Sequence, residues 1–330
     1  MKSFLHGLTD RALVTLLQRG RLYSGGFGDR ARLARLVEGV RVVSTRTPID
    51  QANLQLESKE THALGVRVRR ARFRSPLATE LPTESKDVVV EILEPTRSPS
   101  PAFALLLAAT AEEGFNRRRL FATALLRRGI GVVSMENAFY GARRPRGQSG
   151  AFIATVADQF AMNLATVLEA RALVQWMRAE FGERVVVTGF SQGAMMAAFT
   201  AVTLPFPIGV VAVAAALDAA PIFLDGVLAR AFDWDALSRD ANGLDKAKAL
   251  FAESLVPVSF AAHPPPARTD LAVVMGAEHD GFVARSAVER LHAHWPGSEL
   301  RWIGAGHVTA AALHTSAHRR AIRDVLDRFF

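Results

Sequence analysis

Apolar residues recur along this chain with two different periods. Between positions 3 and 19 they fall at Phe4, Leu5, Leu8, Ala12, Leu13, Leu16 and Leu17, with Asp10, Arg11, Gln18 and Arg19 turned away and Gly20 as a stop. That spacing predicts an amphipathic helix, whose ordinary use is to pack on a domain and whose alternative is to lie on a membrane surface. From residue 66 the period shortens. Alternating or β-branched runs predict strands over 66–73, 88–93, 103–108, 131–135, 184–188, 208–214, 271–275 and 300–303. Helical spacing predicts helices over 117–128, 152–180, 193–202, 285–295 and 309–328. Two opening strands followed by β/α alternation describe an α/β fold, a mostly parallel eight-stranded sheet with helices on both faces.

The breakers divide this plan. Residues 94–101 hold Pro95, Pro99 and Pro101 and link the second strand to the third. Residues 218–268 separate the sixth and seventh strands; they carry short helical patterns and the breaker His263-Pro264-Pro265-Pro266, a lid-sized insertion. The expected organisation is an N-terminal helical extension over 1–60, packed on a main domain over 61–330. Tyr23-Ser24-Gly25-Gly26-Phe27-Gly28 is glycine-rich but lacks a following Gly-Lys-Ser/Thr, so it reads as a turn and not a phosphate cradle.

Composition narrows the class. With 49% apolar and 22% charged residues the chain is an ordinary globular protein. Its longest apolar stretch, residues 208–217, is about half of a bilayer span. The N-terminal apolar run is broken by His6, Asp10 and Arg11 with no small-residue cleavage site after it, so no signal peptide is expected. The absence of cysteine excludes disulfides, thiolate metal sites and a cysteine nucleophile, and a cytoplasmic location is expected. The net charge of +8 is concentrated: residues 1–75 carry 15 Lys and Arg against 6 Asp and Glu, leaving 25 against 26 for the rest. A basic segment of that kind suits peripheral contact with an anionic membrane, or a solvated surface. No nucleic-acid motif accompanies it, and nucleic acid is not an expected partner.

The chemistry centres on Gly189-Phe190-Ser191-Gln192-Gly193, which lies between the strand-like run 184–188 and the helix-like run 194–201. A serine raised on a strand-to-helix turn needs very small residues two positions to either side, and glycine stands at both. Ser191 is a poor nucleophile without a base, and the base needs an acid to hold its tautomer. Asp280, after the seventh strand, and His307, after the eighth, supply both in the order Ser, Asp, His. Glu278 and Asp218 are substitute acids and His279 a rival base. The pairs His292/His294 and His314/His318 have metal-like spacing, but no third ligand is evident, so neither a metal nor another cofactor is expected.

Oxyanion donors are expected from the backbone N–H of Gln192 and from the loop after the third strand, at Thr110, with Ala111 next. Residues 136–148 place Arg143, Arg144 and Arg146 beside Phe139 and Tyr140. Tyr140, Arg143 and Arg144 are candidates to bind an anionic headgroup; the alternative is a structural loop whose arginines pair with protein carboxylates.

The triad order, the strand order and the insertion together resemble the α/β-hydrolase superfamily. A closer likeness lies elsewhere in the chain: Ala108-Ala109-Thr110 with Arg117-Arg118-Arg119; Glu136-Asn137-Ala138-Phe139-Tyr140-Gly141-Ala142-Arg143-Arg144-Pro145 with Gln148; Asp158; and Asp225-Gly226-Val227-Leu228 with Asp233-Trp234. These segments resemble the abhydrolase domain-containing protein 18 family over residues 20–330. The resemblance implies a serine hydrolase, members of that family being linked to acyl-lipid or phospholipid deacylation in mitochondria. Gln192 stands where the family tends to have Met, and Ala109 where it tends to have Gly, which bears on the acyl pocket and on the oxyanion loop. The expected function is therefore hydrolysis of carboxylic esters through an acyl-enzyme on Ser191, as an esterase or (phospho)lipid deacylase with an ester or lipid substrate. An acyltransferase with the same triad and a non-catalytic binding protein on a hydrolase fold are the alternatives.

Overall fold

The most continuously apolar runs of the chain become the centre of one sheet. A computed structural model describes residues 9, 10, 12, 15, 21–57, 61–63, 65–96 and 100–329. Six strands run parallel: β5 (Ala102–Leu107), β6 (Ile130–Met135), β7 (Val185–Phe190), β8 (Gly209–Val213), β9 (Ala272–Ala277) and β10 (Glu299–Ile303). On the other side, β4 (Asp87–Pro95) pairs antiparallel with β6 and with β3 (Val66–Arg74). All eight predicted strands are present. The sheet is larger than eight, because β1 (Gln55–Leu56) and β2 (Thr61–Ala63) add to β3. At two and three residues they are too short to display an alternation that sequence could register.

The spatial order is β1-β3-β4-β6-β5-β7-β8-β9-β10. The chain leaves β5 toward β6 on one side, then returns past β5 to form β7 on the other. The loops after β5 and β7 therefore diverge and open a crevice at the carboxyl ends of the two strands. Ser191 and Thr110 both sit at that crevice.

Alternation within each strand feeds two cores. Phe103, Leu105 and Leu107 join the core on one face, while Ala102, Ala104 and Leu106 join the core on the other. The first core is covered by α1 (Arg30–Val42), α3 (Val156–Phe181) and α4 (Gln192–Thr203); the second is covered by α2 (Asn116–Leu126) and the C-terminal helix. The sequence reading assigned no helix to α1. It is capped by Asp29, whose carboxylate accepts from Arg32 N–H at 3.0 Å, and it buries Leu33, Leu36 and Val40 along one stripe.

The insertion carries α5 (Ala220–Leu224), α6 (Trp234–Ala241) and α7 (Leu244–Leu255). Leu237, Ala247, Phe251 and Phe260 are buried in the first core, so this segment is built into the domain. It also grips the chain ahead of α1: Leu22 N–H donates to Ala231 C=O at 2.8 Å, and Asp233 N–H donates to Leu22 C=O at 2.8 Å. After β9 comes α8 (Arg285–His294). The helix predicted over 309–328 is two helices, α9 (His307–Leu313) and α10 (Thr315–Asp327), broken at His314. The break lets α9 begin at the sheet's edge while α10 packs beneath β7 and β8.

Of the amphipathic helix predicted over 3–19, Thr9, Asp10, Ala12 and Thr15 are helical and the other positions lie outside the described residues. At two positions the predicted facing is reversed: Ala12 is exposed and Asp10 is buried. Along β3 the basic residues meet carboxylates: Arg67 and Arg69 pair with Glu94, Arg70 with Glu91, Arg72 with Glu57 and Arg74 with Asp87. No helix among the described residues is long and apolar enough to cross a membrane.

Candidate active site

β7 ends at Phe190 and α4 starts at Gln192, which leaves Ser191 alone to make the turn at φ 54°, ψ −116°. A positive φ costs a non-glycine residue about 1–3 kcal/mol and persists only where its surroundings impose it. Here Ser191 N–H donates to Val213 C=O at 2.8 Å, and Ser191 C=O accepts from Ala194 and Met195 at 2.9 and 3.0 Å. The flanking glycines are steric requirements. A Cβ at Gly189 would lie 2.4 Å from the Gly193 carbonyl carbon, and one at Gly193 would lie 2.6 Å from Leu107 O and 2.8 Å from Ala108 O. The second contact also shows how tightly the start of α4 seats against the end of β5.

Three residues from different loops meet at this turn. His307 Nε2 is 3.1 Å from Ser191 Oγ, and His307 Nδ1 is 2.8 Å from Asp280 Oδ2. Asp280 Oδ1 accepts from the amides of Phe282 and Val283 at 2.8 and 2.9 Å. With Nδ1 donating to the carboxylate, Nε2 is left as the acceptor facing the serine hydroxyl. The imidazole lies between Phe190 and Phe282, ring centroids 4.8 and 4.7 Å away. These aromatic walls were not identified from sequence; Phe190, inside the G-x-S-x-G run itself, was the one signal available. The alternatives weighed from sequence fall away from the turn. Asp218 bonds Ser259 and pairs with Arg290 at 3.6 Å, while Glu278 and His279 are exposed.

In the loop after β5, side-chain and main-chain partners occupy most of the amides. Ala109 N–H donates to Glu112 Oε2 at 3.1 Å, Glu112 N–H to Ala109 O at 3.1 Å, Ala111 N–H to Tyr140 Oη at 3.2 Å and Gly114 N–H to Glu136 Oε1 at 2.6 Å. The amides of Thr110 and Gln192 have no hydrogen-bond partner among the described residues. Ala111, the second choice from sequence, is thereby committed elsewhere. The Gln192 side chain points to α3 and not to the pocket, donating to Asn163 Oδ1 at 2.8 Å.

The headgroup assignment for Tyr140, Arg143 and Arg144 is corrected by their partners. Arg143 is wholly buried and forms a bidentate pair with Glu169 at 2.6 and 2.8 Å, while also donating to Ser85 O and Glu136 O. Arg144 pairs with Glu113. Tyr140 is 1% exposed; burial, with a smaller contribution from the Glu113 charge, pushes its phenol up to about 12, so it stays neutral. The run of arginines beside aromatics is a local pattern, and the carboxylates that consume it come from 26 and 31 residues away.

A cavity of about 670 Å³ opens beside Ser191 and His307, walled by Leu106, Phe121, Phe190 and Ile303. No residue of the 218–268 insertion lines it. His318, largely buried, also lines the cavity and meets Thr188 Oγ1 at 2.6 Å. Among the described residues no group of three His, Asp or Glu is poised to hold a metal.

A parallel sheet bearing its serine on a strand-to-helix turn, with an acid and a histidine after the next strands but one and two, defines the α/β-hydrolase class. Within it, a family model described as Alpha/beta hydrolase domain containing 18 matches residues 20–254 and 242–328, and the chain belongs to that family. Solved structures of like fold include an acetyl xylan esterase from Paenibacillus sp. R4, with TM-score 0.60 and 13% identity, covering 94% of this chain and 98% of that one. Acetyl Xylan Esterase 1 from Thermoanaerobacterium sp. JW/SL YS485 aligns with TM-score 0.54 and 11% identity, covering 93% and 97%. A cold-adapted esterase from an Arctic intertidal metagenomic library aligns with TM-score 0.52 and 14% identity, covering 82% and 99%.

Proposed function

We propose that this protein is a serine hydrolase that cleaves carboxylic esters through an acyl-enzyme on Ser191. The hydrogen-bonded row from Asp280 through His307 to Ser191, set at the mouth of a cavity, is the observation that carries the reading. His307 Nε2 takes the hydroxyl proton as Ser191 Oγ attacks the ester carbon, and the resulting imidazolium faces the Asp280 carboxylate. The developing oxyanion is received by the amides of Gln192 and Thr110, which no other group among the described residues occupies. His307 then returns the proton to the departing alcohol oxygen. In the second half, His307 deprotonates water, which attacks the acyl carbon, releases the carboxylic acid and restores Ser191. None of these steps uses a cofactor.

The surroundings of the cavity favour an amphiphilic ester, in the direction of a lipid deacylase. Leu106, Phe121, Phe190 and Ile303 give it an apolar side, and Leu120 at its edge is 76% exposed. Glu112 is paired with Arg118 at 3.3 Å, and Arg117 and Arg319 line the cavity without an ion pair to any described residue. An acyl chain on the apolar wall with an anionic group near the two arginines fits that distribution. The test is labelling by an alkyl fluorophosphonate and hydrolysis of an ester chain-length panel, with and without anionic vesicles. Labelling that vanishes in Ser191→Ala and rates that rise with vesicles are expected. Unlabelled protein would overturn the hydrolase reading, and a preference for short soluble esters would overturn the lipid reading. Acylated acceptor in place of free acid among the products would identify an acyltransferase.

A further inference from the structure

We propose that Asp10 is a positioning residue of this site, whose carboxylate ties the main chain of the histidine loop to that of the acid loop and so sets where His307 presents its ring. This inference rests on the hydrolase reading above. Asp10 Oδ2 accepts from Gly281 N–H at 2.9 Å and from His307 N–H at 3.1 Å, and Asp10 Oδ1 accepts from Val308 N–H at 2.9 Å. The donors lie 271, 297 and 298 residues further along the chain. Asp10 is only 3% exposed and has no cationic partner among the described residues, so these three amides are the compensation for a carboxylate taken out of water.

The arrangement does more than finish a helix. His307 and Val308 are the first two residues of α9, and their amides have no partner within that helix. The preceding residue, Gly306, has no side chain to cap them. A serine or aspartate at 306 would cap α9 locally, yet it would leave the acid loop free. Asp10 reaches both, and the seat at 281 is a glycine, where a Cβ would come 3.2 Å from Asp10 Oδ2.

Two carboxylates thus cross-tie the same pair of loops. Asp280 holds the imidazole through Nδ1, and Asp10 holds the backbone on which the imidazole is mounted. The residue adjoining Asp280 and the base itself are held by one oxygen of Asp10, so the relative position of acid and base is set at the main chain. A base misplaced by a fraction of an ångström loses its line to Ser191 Oγ, which already stands at 3.1 Å.

The test compares the full-length wild type with Asp10→Ala and with Asp10→Asn, which keeps the shape and one acceptor oxygen. Three quantities are read: kcat and KM for an activated short ester per fluorophosphonate-titrated site, the thermal midpoint, and the downfield proton resonance of His307 Nδ1–H. For Asp10→Ala, kcat per titrated site is expected to fall about 10- to 100-fold with KM held within about twofold, and the Nδ1 resonance to broaden. Asp10→Asn is expected to fall between that variant and wild type. An unchanged kcat per titrated site with a sharp Nδ1 resonance would overturn the proposal, because a carboxylate that only stabilises the fold lowers the number of active sites and not their rate. If Asp10→Ala does not fold, Asp10→Asn decides by the same readouts. The resonance needs no substrate: should the wild type hydrolyse no ester, the hydrolase reading fails, and loss or retention of the signal in Asp10→Asn still supports or overturns the clamp.

Discussion

The Tyr140 phenol oxygen accepts the Ala111 amide at 3.2 Å and thereby shapes the loop that carries the Thr110 amide. In Tyr140→Phe the Ala111 N–H loses its acceptor at a partly buried position, at a cost of about 1–3 kcal/mol. If the Thr110 amide serves the oxyanion, the loosened loop lowers kcat by roughly tenfold with little change in KM. Steady-state kinetics on an activated ester check this; equal losses of kcat in Tyr140→Phe and in a remote variant of matched stability would argue against it.

Replacing Ser191 by Ala is expected to remove both fluorophosphonate labelling and turnover. Asp280→Asn, which keeps the shape but reverses the hydrogen-bond sense toward His307 Nδ1, is expected to lower kcat by about 10⁴-fold while the protein stays folded. Asp218→Asn, remote from His307, is expected to keep wild-type kcat. A comparable loss in that variant would mean that the acid has been assigned to the wrong loop.

Arg143 and Glu169 form a buried bidentate pair, and truncating one partner strands the other charge in the core. Arg143→Ala is expected to lose about 3–5 kcal/mol of stability, read by denaturant unfolding. Affinity for anionic vesicles, measured on the folded fraction, is expected to be unaltered. Weakened vesicle binding at unchanged stability would restore the headgroup role that its burial removes.

His318 makes stability depend on pH. Thr188 donates its single hydroxyl proton to Val211 O at 2.6 Å, so His318 Nε2 is the donor in their contact. Burial, aided by the Arg319 charge, holds the imidazole down to about 3 against an ordinary value of 6.5. Between those values the unfolded chain binds a proton that the folded one refuses. The stabilisation is therefore complete above 6.5 and is lost as pH falls toward 3, at about 1.4 kcal/mol per pH unit. Unfolding midpoints measured from pH 7 to pH 4 are expected to fall less steeply in His318→Gln than in wild type, and parallel slopes would contradict the account.

Much of the site was legible because its requirements show in residue spacing. Gly189 is demanded by the backbone of Gly193 four residues on, while Gly193 is demanded by the end of β5, and both show in the sequence as the G-x-S-x-G spacing. The central strands announce themselves as continuous apolar, β-branched runs. Asp280 and His307 could be nominated because each follows a recognisable strand in the right order. At Arg143 and Arg144 the local reading left an anion site and pairing with protein carboxylates both open, and only Glu169 and Glu113, brought from elsewhere in the chain, favour the second. The same reading was wrong at Asp10, which helical periodicity turns toward solvent.

By itself, then, the sequence determined the α/β alternation, the glycine-flanked serine between strand and helix, and the chain order of its two partners, all carried by hydrophobic pattern and residue spacing. Only the tertiary structure decided which acid faces His307, which amides near Ser191 are left open, that residues 218–268 do not line the cavity, and that Asp10 reaches the catalytic loops. Those outcomes depend on groups separated by tens to hundreds of residues, and a hydrogen bond of about 3 Å is specified by the packing of whole elements, to which no local pattern gives access.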